Sequence, residues 1–112
     1  MEVFKILRPI ELASLRHEGT TRGAPVDVAD GFIHFSTAEQ LPGTLAKHFA
    51  GEEDLTLCAC DAEALGNDLR WEKSRGGKDF PHLYRKLEWV EVAWTAPLPL
   101  EDGQHVLPER VS

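Results

Sequence analysis

The sequence predicts an α+β fold, a single domain built around a mostly antiparallel sheet with short helices. Short runs of β-forming residues alternate with polar ones, and brief helical segments carry recognisable starts and stops. The chain lacks the regular strand–helix–strand alternation that a parallel sheet requires. Its 112 residues suit one domain, and at that length roughly 65% of the unfolded chain's surface is buried on folding.

Val3–Leu7 alternates and reads as the first strand. A helix follows, with Pro9 suited to its first position, Ile10, Leu12, Ala13 and Leu15 as an apolar stripe, and Gly19 where it stops. Residues 20–25 read as loop. Asp30-Gly31 marks a turn into a short strand, residues 31–35. Ser36-Thr-Ala-Glu39 then has the spacing of a capping box. Pro42-Gly43 interrupts that helix, which predicts either a single turn followed by a second helix over 43–50 or a kink. Residues 54–60 are the best strand in the chain. Asp61 caps one or two helical turns that Gly66 ends, Leu69–Lys73 is another strand, 74–79 a loop and 89–95 a late strand. After Pro97 the chain is Pro-rich and polar and reads as a tail that either wraps the surface or is partly disordered.

A net charge of −7 argues against nucleic acid as the partner, because phosphate affinity comes from clustered Lys and Arg. One segment is exceptional: between residues 70 and 86 stand Arg70, Lys73, Arg75, Lys78, Arg85 and Lys86 against only Glu72 and Asp79. That segment is suited to attract a small anion. No apolar run is long enough to span a bilayer, and the first residues lack the features of a secretory signal, so a cytoplasmic location is expected. Cys58 and Cys60 share one strand face, a poor geometry for a disulfide, and without a second Cys/His pair at a ligand spacing they read as buried thiols. No metal is expected.

Candidate chemistry lies in two stretches expected to line a shared pocket. His34 on its strand shares a face with Phe32 and Ser36; an imidazole there can bind a ribose hydroxyl or phosphate, or move a proton. The plainer reading is a hydrogen-bonded core histidine. Ser36 and Thr37 open a helix whose free amides suit an anion, although capping alone explains Ser36. Glu72, beside Arg70 and Trp71, can polarise a sugar hydroxyl or act as a base if burial raises its pKa; a surface salt bridge is the alternative. Arg75-Gly-Gly-Lys78 can wrap a phosphate or be a solvated loop. Phe80-Pro-His-Leu-Tyr84 can stack a flat ligand, with His82 and Tyr84 on one face, or simply close the core. His17, His48 and His105 read as surface residues. The spacings support no Ser-His-Asp or Cys-His arrangement, and no Gly-rich nucleotide loop is present.

Asp30-Gly-Phe-Ile-His-Phe-Ser-Thr-Ala-Glu-Gln40, Asp54-Leu-Thr-Leu57, Arg70-Trp-Glu72 and Phe80-Pro-His-Leu-Tyr84, in this order, closely resemble a small bacterial family, domain of unknown function 952, over residues 2 to about 95. The resemblance implies a fold like that of the ADP-ribosyltransferases, a split sheet with a cleft for a nicotinamide dinucleotide. It carries His34, Ser36 and Thr37 to the cleft by their place in the motif. A first-strand His or Arg commonly grips the ribose in that superfamily. Here the stretch is Phe4-Lys5-Ile6, so Lys5 takes the position, a departure that puts the usual catalytic triad in doubt. Glu72 is the counterpart of the catalytic acid in this comparison.

The functional expectation is a module that binds a small anionic or nucleotide-like ligand in a cleft lined by His34, Ser36, Glu72, His82 and Tyr84, with Lys5, Thr37, Arg70, Trp71 and Arg75 as further binding residues. The alternatives are an enzyme acting on NAD or an ADP-ribose or phosphate substrate, with His34 and Glu72 catalytic, and a protein-interaction domain using Trp89 or Trp94. Oligomeric state is left open.

Overall fold

The chain forms, in order, β1 (Glu2–Leu7), α1 (Pro9–Glu18), β2 (Thr20–Thr21), α2 (Pro25–Asp30), β3 (Ile33–His34), α3 (Leu41–His48), β4 (Leu55–Asp61), α4 (Ala62–Leu65), β5 (Leu69–Lys73), β6 (Asp79–Leu83), β7 (Leu87–Glu88), β8 (Val92–Leu98), β9 (Leu100–Glu101) and β10 (Gln104–His105). This computed structural model describes residues 1–111, with every side chain but that of Arg75.

All described strand pairs are antiparallel. One three-stranded sheet runs β1-β4-β8 and another β3-β6-β5. They meet where Phe4 and Ser36 exchange backbone hydrogen bonds of 2.8 Å, while the Phe35 amide donates to the Pro81 carbonyl. The small β2–β7 and β9–β10 ladders complete the pairing.

The β1-β4-β8 sheet is buried on both faces because β1 and β4 alternate two apolar sets. Val3 and Leu7 join Cys58, Cys60, Ile33, Leu69 and Leu83 in one core. Phe4 and Ile6 join Leu55, Leu57, Leu98 and the α3 residues Leu41 and Leu45 in the other. The two cysteines lie on the same face as expected, and burial pushes both thiols up to about 12.

Local sequence rules place several elements where expected. α1 carries Pro9 in its first turn and ends at Gly19, whose φ of 80° is left-handed. Of its predicted apolar stripe, only Leu15 is fully buried, whereas Ile10 is 78% exposed. Asp61 caps α4 by accepting from the Glu63 amide. Other expectations fail. The capping box sits one residue later: the Thr37 amide donates to Gln40 Oε1 and the Gln40 amide to Thr37 Oγ1. Of the two arrangements expected around Pro42-Gly43, the single turn followed by a helix is the one formed, with the turn at 38–40 and α3 beginning at Leu41 rather than at 43. The predicted loop 20–25 yields β2, and α2 follows from Pro25. The late strand begins at Val92, not Trp89, since Trp89–Glu91 form a 3-10 turn. β8 continues through Pro97, which is tolerated because this is an edge strand. The tail wraps the surface: Leu107 and Val111 pack against the second core, and His105, expected at the surface, is half-buried and bonds the Glu52 carbonyl through Nε2 at 2.7 Å.

Candidate ligand site

The site lies on the outer face of the β3-β6-β5 sheet. Ile33, Leu83 and Leu69 stand opposite one another and face the first core. The neighbouring register line, His34, His82 and Arg70, therefore lies on the side away from that core, where Phe32 covers His82 and leaves it buried, 5% exposed. Glu72 and Tyr84, two residues from Arg70 and His82 on their strands, share that side.

Phe32 organises the rings. It stacks on His82 at 4.2 Å between centroids and lies 4.6 Å from His34 and 5.1 Å from Tyr84, while the two imidazoles meet edge to face at 5.3 Å. Carboxylates orient both imidazoles. His82 Nδ1 lies 2.8 Å from Glu72 Oε1, and the Tyr84 hydroxyl donates to the same oxygen at 2.7 Å. These hydrogen bonds hold the Glu72 carboxyl below its ordinary value, and Glu72 in turn raises the Tyr84 phenol. The Arg70 guanidinium covers the other side of Tyr84 at 4.5 Å. His34 is gripped at both nitrogens, Nδ1 by Asp27 Oδ1 at 2.6 Å and Nε2 by Asp30 Oδ2 at 3.1 Å.

Asp27 escaped the sequence reading. Its carboxylate, wholly buried in α2, also takes Lys5 Nζ at 2.8 Å and the backbone amides of Ala24 and His34. Burial pushes this carboxyl up, but the hydrogen bonds from His34 and the charge of Lys5 outweigh it and bring it down to about 2. The available signal was Ala24-Pro-Val-Asp27, a Pro at a first helical position with an acid two places on.

The two distant stretches thus converge: His34 meets His82, and His82 is bonded to Glu72. Other expected residues are placed elsewhere. Lys5 does not reach the outer face; its side chain is 6% exposed and is committed to Asp27 and the His34 carbonyl. Ser36 is buried, its hydroxyl paired with that of Thr44 at 3.0 Å. The Thr37 amide is occupied by Gln40, so that helix start offers less to an anion than its sequence promised. Trp71 stands in register with Pro81, on the face opposite Arg70 and Glu72. The side chain of Arg75 lies outside the described residues. Arg85, part of the basic segment, is neutralised by Glu91 and Asp68. Trp94 is packed against Phe4, donates to Glu2 and lies under Arg110, whereas Trp89 is 37% exposed.

Beside the rings runs a groove of two adjoining cavities. The nearer, about 250 Å³, is walled by Phe32, Tyr84, Asp27 and Arg85. The farther, about 440 Å³, follows α1 past Ile10, Ser14 and Thr20, a volume in the range of small-molecule sites. Arg22, Val28 and Lys86 line both. Of the five residues expected to line the cleft, only Tyr84 borders this groove; His34, Ser36, Glu72 and His82 do not. The open concavity is shifted toward α1 and α2. Among the described residues no group of three or more His, Cys, Asp or Glu side chains is placed to hold a metal ion. None of their helices is long and apolar enough to cross a membrane.

Residues 6–95 match the family model described as Protein of unknown function (DUF952). The chain belongs to this family. Among solved structures, this DUF952 chain is similar to the crystal structure of protein CC0527 from Caulobacter crescentus, at 46% identity and a TM-score of 0.94, over 99% of this chain and 98% of that one. A double mutant of CC0527 matches at 45% identity with the same TM-score and coverage. The solution structure of CC0527 matches at 47% identity and a TM-score of 0.82, over 93% of this chain and 90% of that one. No curated protein matches. The chain is thus a compact α+β domain with antiparallel sheets and short helices, similar in fold to CC0527.

Proposed function

We propose that the outer face of the β3-β6-β5 sheet and the groove beside it bind a small anionic, nucleotide-like ligand. The observation that carries this reading is the meeting of His34, His82, Glu72 and Tyr84 around Phe32 at the mouth of a groove whose other walls hold Arg22 and Lys86. Phe32 and Tyr84 supply apolar ring surface for a flat base. Oriented imidazole and carboxylate groups supply the polar contacts that fix such a ligand.

A second reading, an enzyme acting on NAD or an ADP-ribose substrate, is favoured by the Glu72–His82 pair. A carboxylate that fixes an imidazole tautomer is the arrangement general acid–base chemistry uses. The split pair of sheets joined at Phe4 and Ser36 is compatible with the ADP-ribosyltransferase resemblance. Lys5 weighs against it, since the first-strand position that would grip a ribose is spent on Asp27.

One experiment addresses both readings: thermal denaturation with adenosine, AMP, ADP-ribose and NAD, followed by chromatography of each mixture. Binding is expected as a rise in melting temperature with ligand concentration, lost in His34→Ala and Tyr84→Phe/Phe32→Ala variants. Release of nicotinamide or another product, abolished by Glu72→Gln, would select the enzyme. No stabilisation by any of the four would overturn the binding reading.

A further inference from the structure

Arg22 and Lys86 form an unneutralised pair of cations at the junction of the two cavities. In the β2–β7 ladder Thr20 faces Glu88 and Thr21 faces Leu87, so the same register carried one step further sets Arg22 opposite Lys86. Like charges placed opposite one another across a strand pair are unfavourable. Among the described residues neither side chain has an ion-pair or hydrogen-bond partner, although the Lys86 carbonyl accepts from Arg85, whereas Lys5, Arg8 and Arg85 are each paired with carboxylates. Of the acids in the walls, Glu11 is paired with Arg8 and Asp27 with Lys5, while Glu18 accepts from the neutral Ser14 hydroxyl and keeps its charge. In a chain of net charge −7, two free cations held together at the mouth shared by two cavities mark a place for an anion.

We infer that Arg22 and Lys86 are the anion subsite and that it takes a phosphoryl group. A doubly charged phosphate neutralises both cations and offers oxygens on both sides, to the guanidinium fork and to the ammonium at once. A single carboxylate can reach both partners but carries one negative charge and neutralises only one of them. The subsite lies away from the Arg75–Lys78 loop that the sequence suggested. It deepens the proposed function and rests on that reading for the ring-bearing half of the ligand alone, which would extend from this junction to Phe32 and Tyr84.

The test is a titration of the ¹⁵N-labelled full chain at low salt with sodium pyrophosphate and, separately, with adenosine. Pyrophosphate is expected to shift the amides of Arg22, Gly23, Lys86 and Leu87 saturably, to weaken about fivefold or more in Arg22→Ala and in Lys86→Ala, and to be unaffected by Lys78→Ala. Both altered side chains are exposed, and neither single variant is expected to melt below the wild type, since each relieves a like-charge contact. Absence of saturable shifts, or wild-type binding by the Arg22→Ala/Lys86→Ala double variant, overturns the subsite. Adenosine has no phosphoryl group and reports the ring half through Phe32 and Tyr84. Loss of its shifts with pyrophosphate binding intact would sink the sheet-face reading and leave the subsite standing; the reverse result removes the subsite alone.

Discussion

The carboxylate of Asp27 takes four donors on its two oxygens: Lys5, the Ala24 amide, and the His34 amide and ring. It therefore fixes the imidazole that leads the outer face and stabilises the fold in doing so. Gly23 makes room for it. A Cβ at Gly23 would stand 2.2 Å from Asp27 Oδ2, and the residue's φ of 89° is left-handed, so Gly23→Ala is expected to destabilise by more than about 1 kcal/mol. Asp27→Asn leaves the Lys5 ammonium buried without its counter-charge, and a loss of about 3 kcal/mol is expected in urea denaturation at pH 7. The pH dependence has a definite sign. The Asp27 carboxyl is at about 2 in the folded protein against an ordinary 3.8, so the unfolded chain takes up the proton first. Its contribution is complete above about pH 4 and lost as the pH falls toward 2. The stability gap between wild type and Asp27→Asn should thus narrow by about 2 kcal/mol over that window. A gap that stayed constant would show that Asp27 is not held by these donors.

The β3-β6-β5 sheet couples the side chains it aligns, and its chemistry is readable through one chromophore. Tyr84 is the chain's single tyrosine, so the rise of tyrosinate absorbance with pH reports this position alone. Its bond to Glu72 sets the midpoint above the ordinary 10.0. Glu72→Gln should lower that midpoint, and Arg70→Ala should raise it further because the guanidinium favours the phenolate. An unchanged midpoint in Glu72→Gln would remove the hydrogen bond on which the Glu72 assignment depends. Sequence made β5 and α4 legible because alternation and capping are local signals: Leu69–Lys73 and the Asp61 cap stand where they were expected. α2 was not legible, for a physical reason. It exposes Val26 and Val28 and buries Asp27, the inverse of an amphipathic helix. The shift of the capping box from Ser36 to Thr37 has a similar origin, since Ser36 is claimed by its backbone pairing with Phe4 and by Thr44.

At the scale of the molecule, the site exists because two sheets are tied at Phe4 and Ser36 and a core lies against each face of β1 and β4. That arrangement lets one face of β3-β6-β5 be apolar and inward while the other carries His34, Arg70 and Glu72, with His82 held beneath Phe32. The antiparallel sheet and the convergence of the two motif stretches were legible in the sequence. The groove was not, because its walls come from α1, α2 and the turn around Lys86, which meet only through tertiary packing. The claim that this face is the ligand surface is tested most directly by mapping amide shifts while AMP is titrated into the ¹⁵N-labelled protein. The largest saturable changes are expected at Gly31, Phe32, His82, Tyr84 and Lys86. Changes centred instead on Trp89 and Val90 or on the β9–β10 hairpin would contradict it.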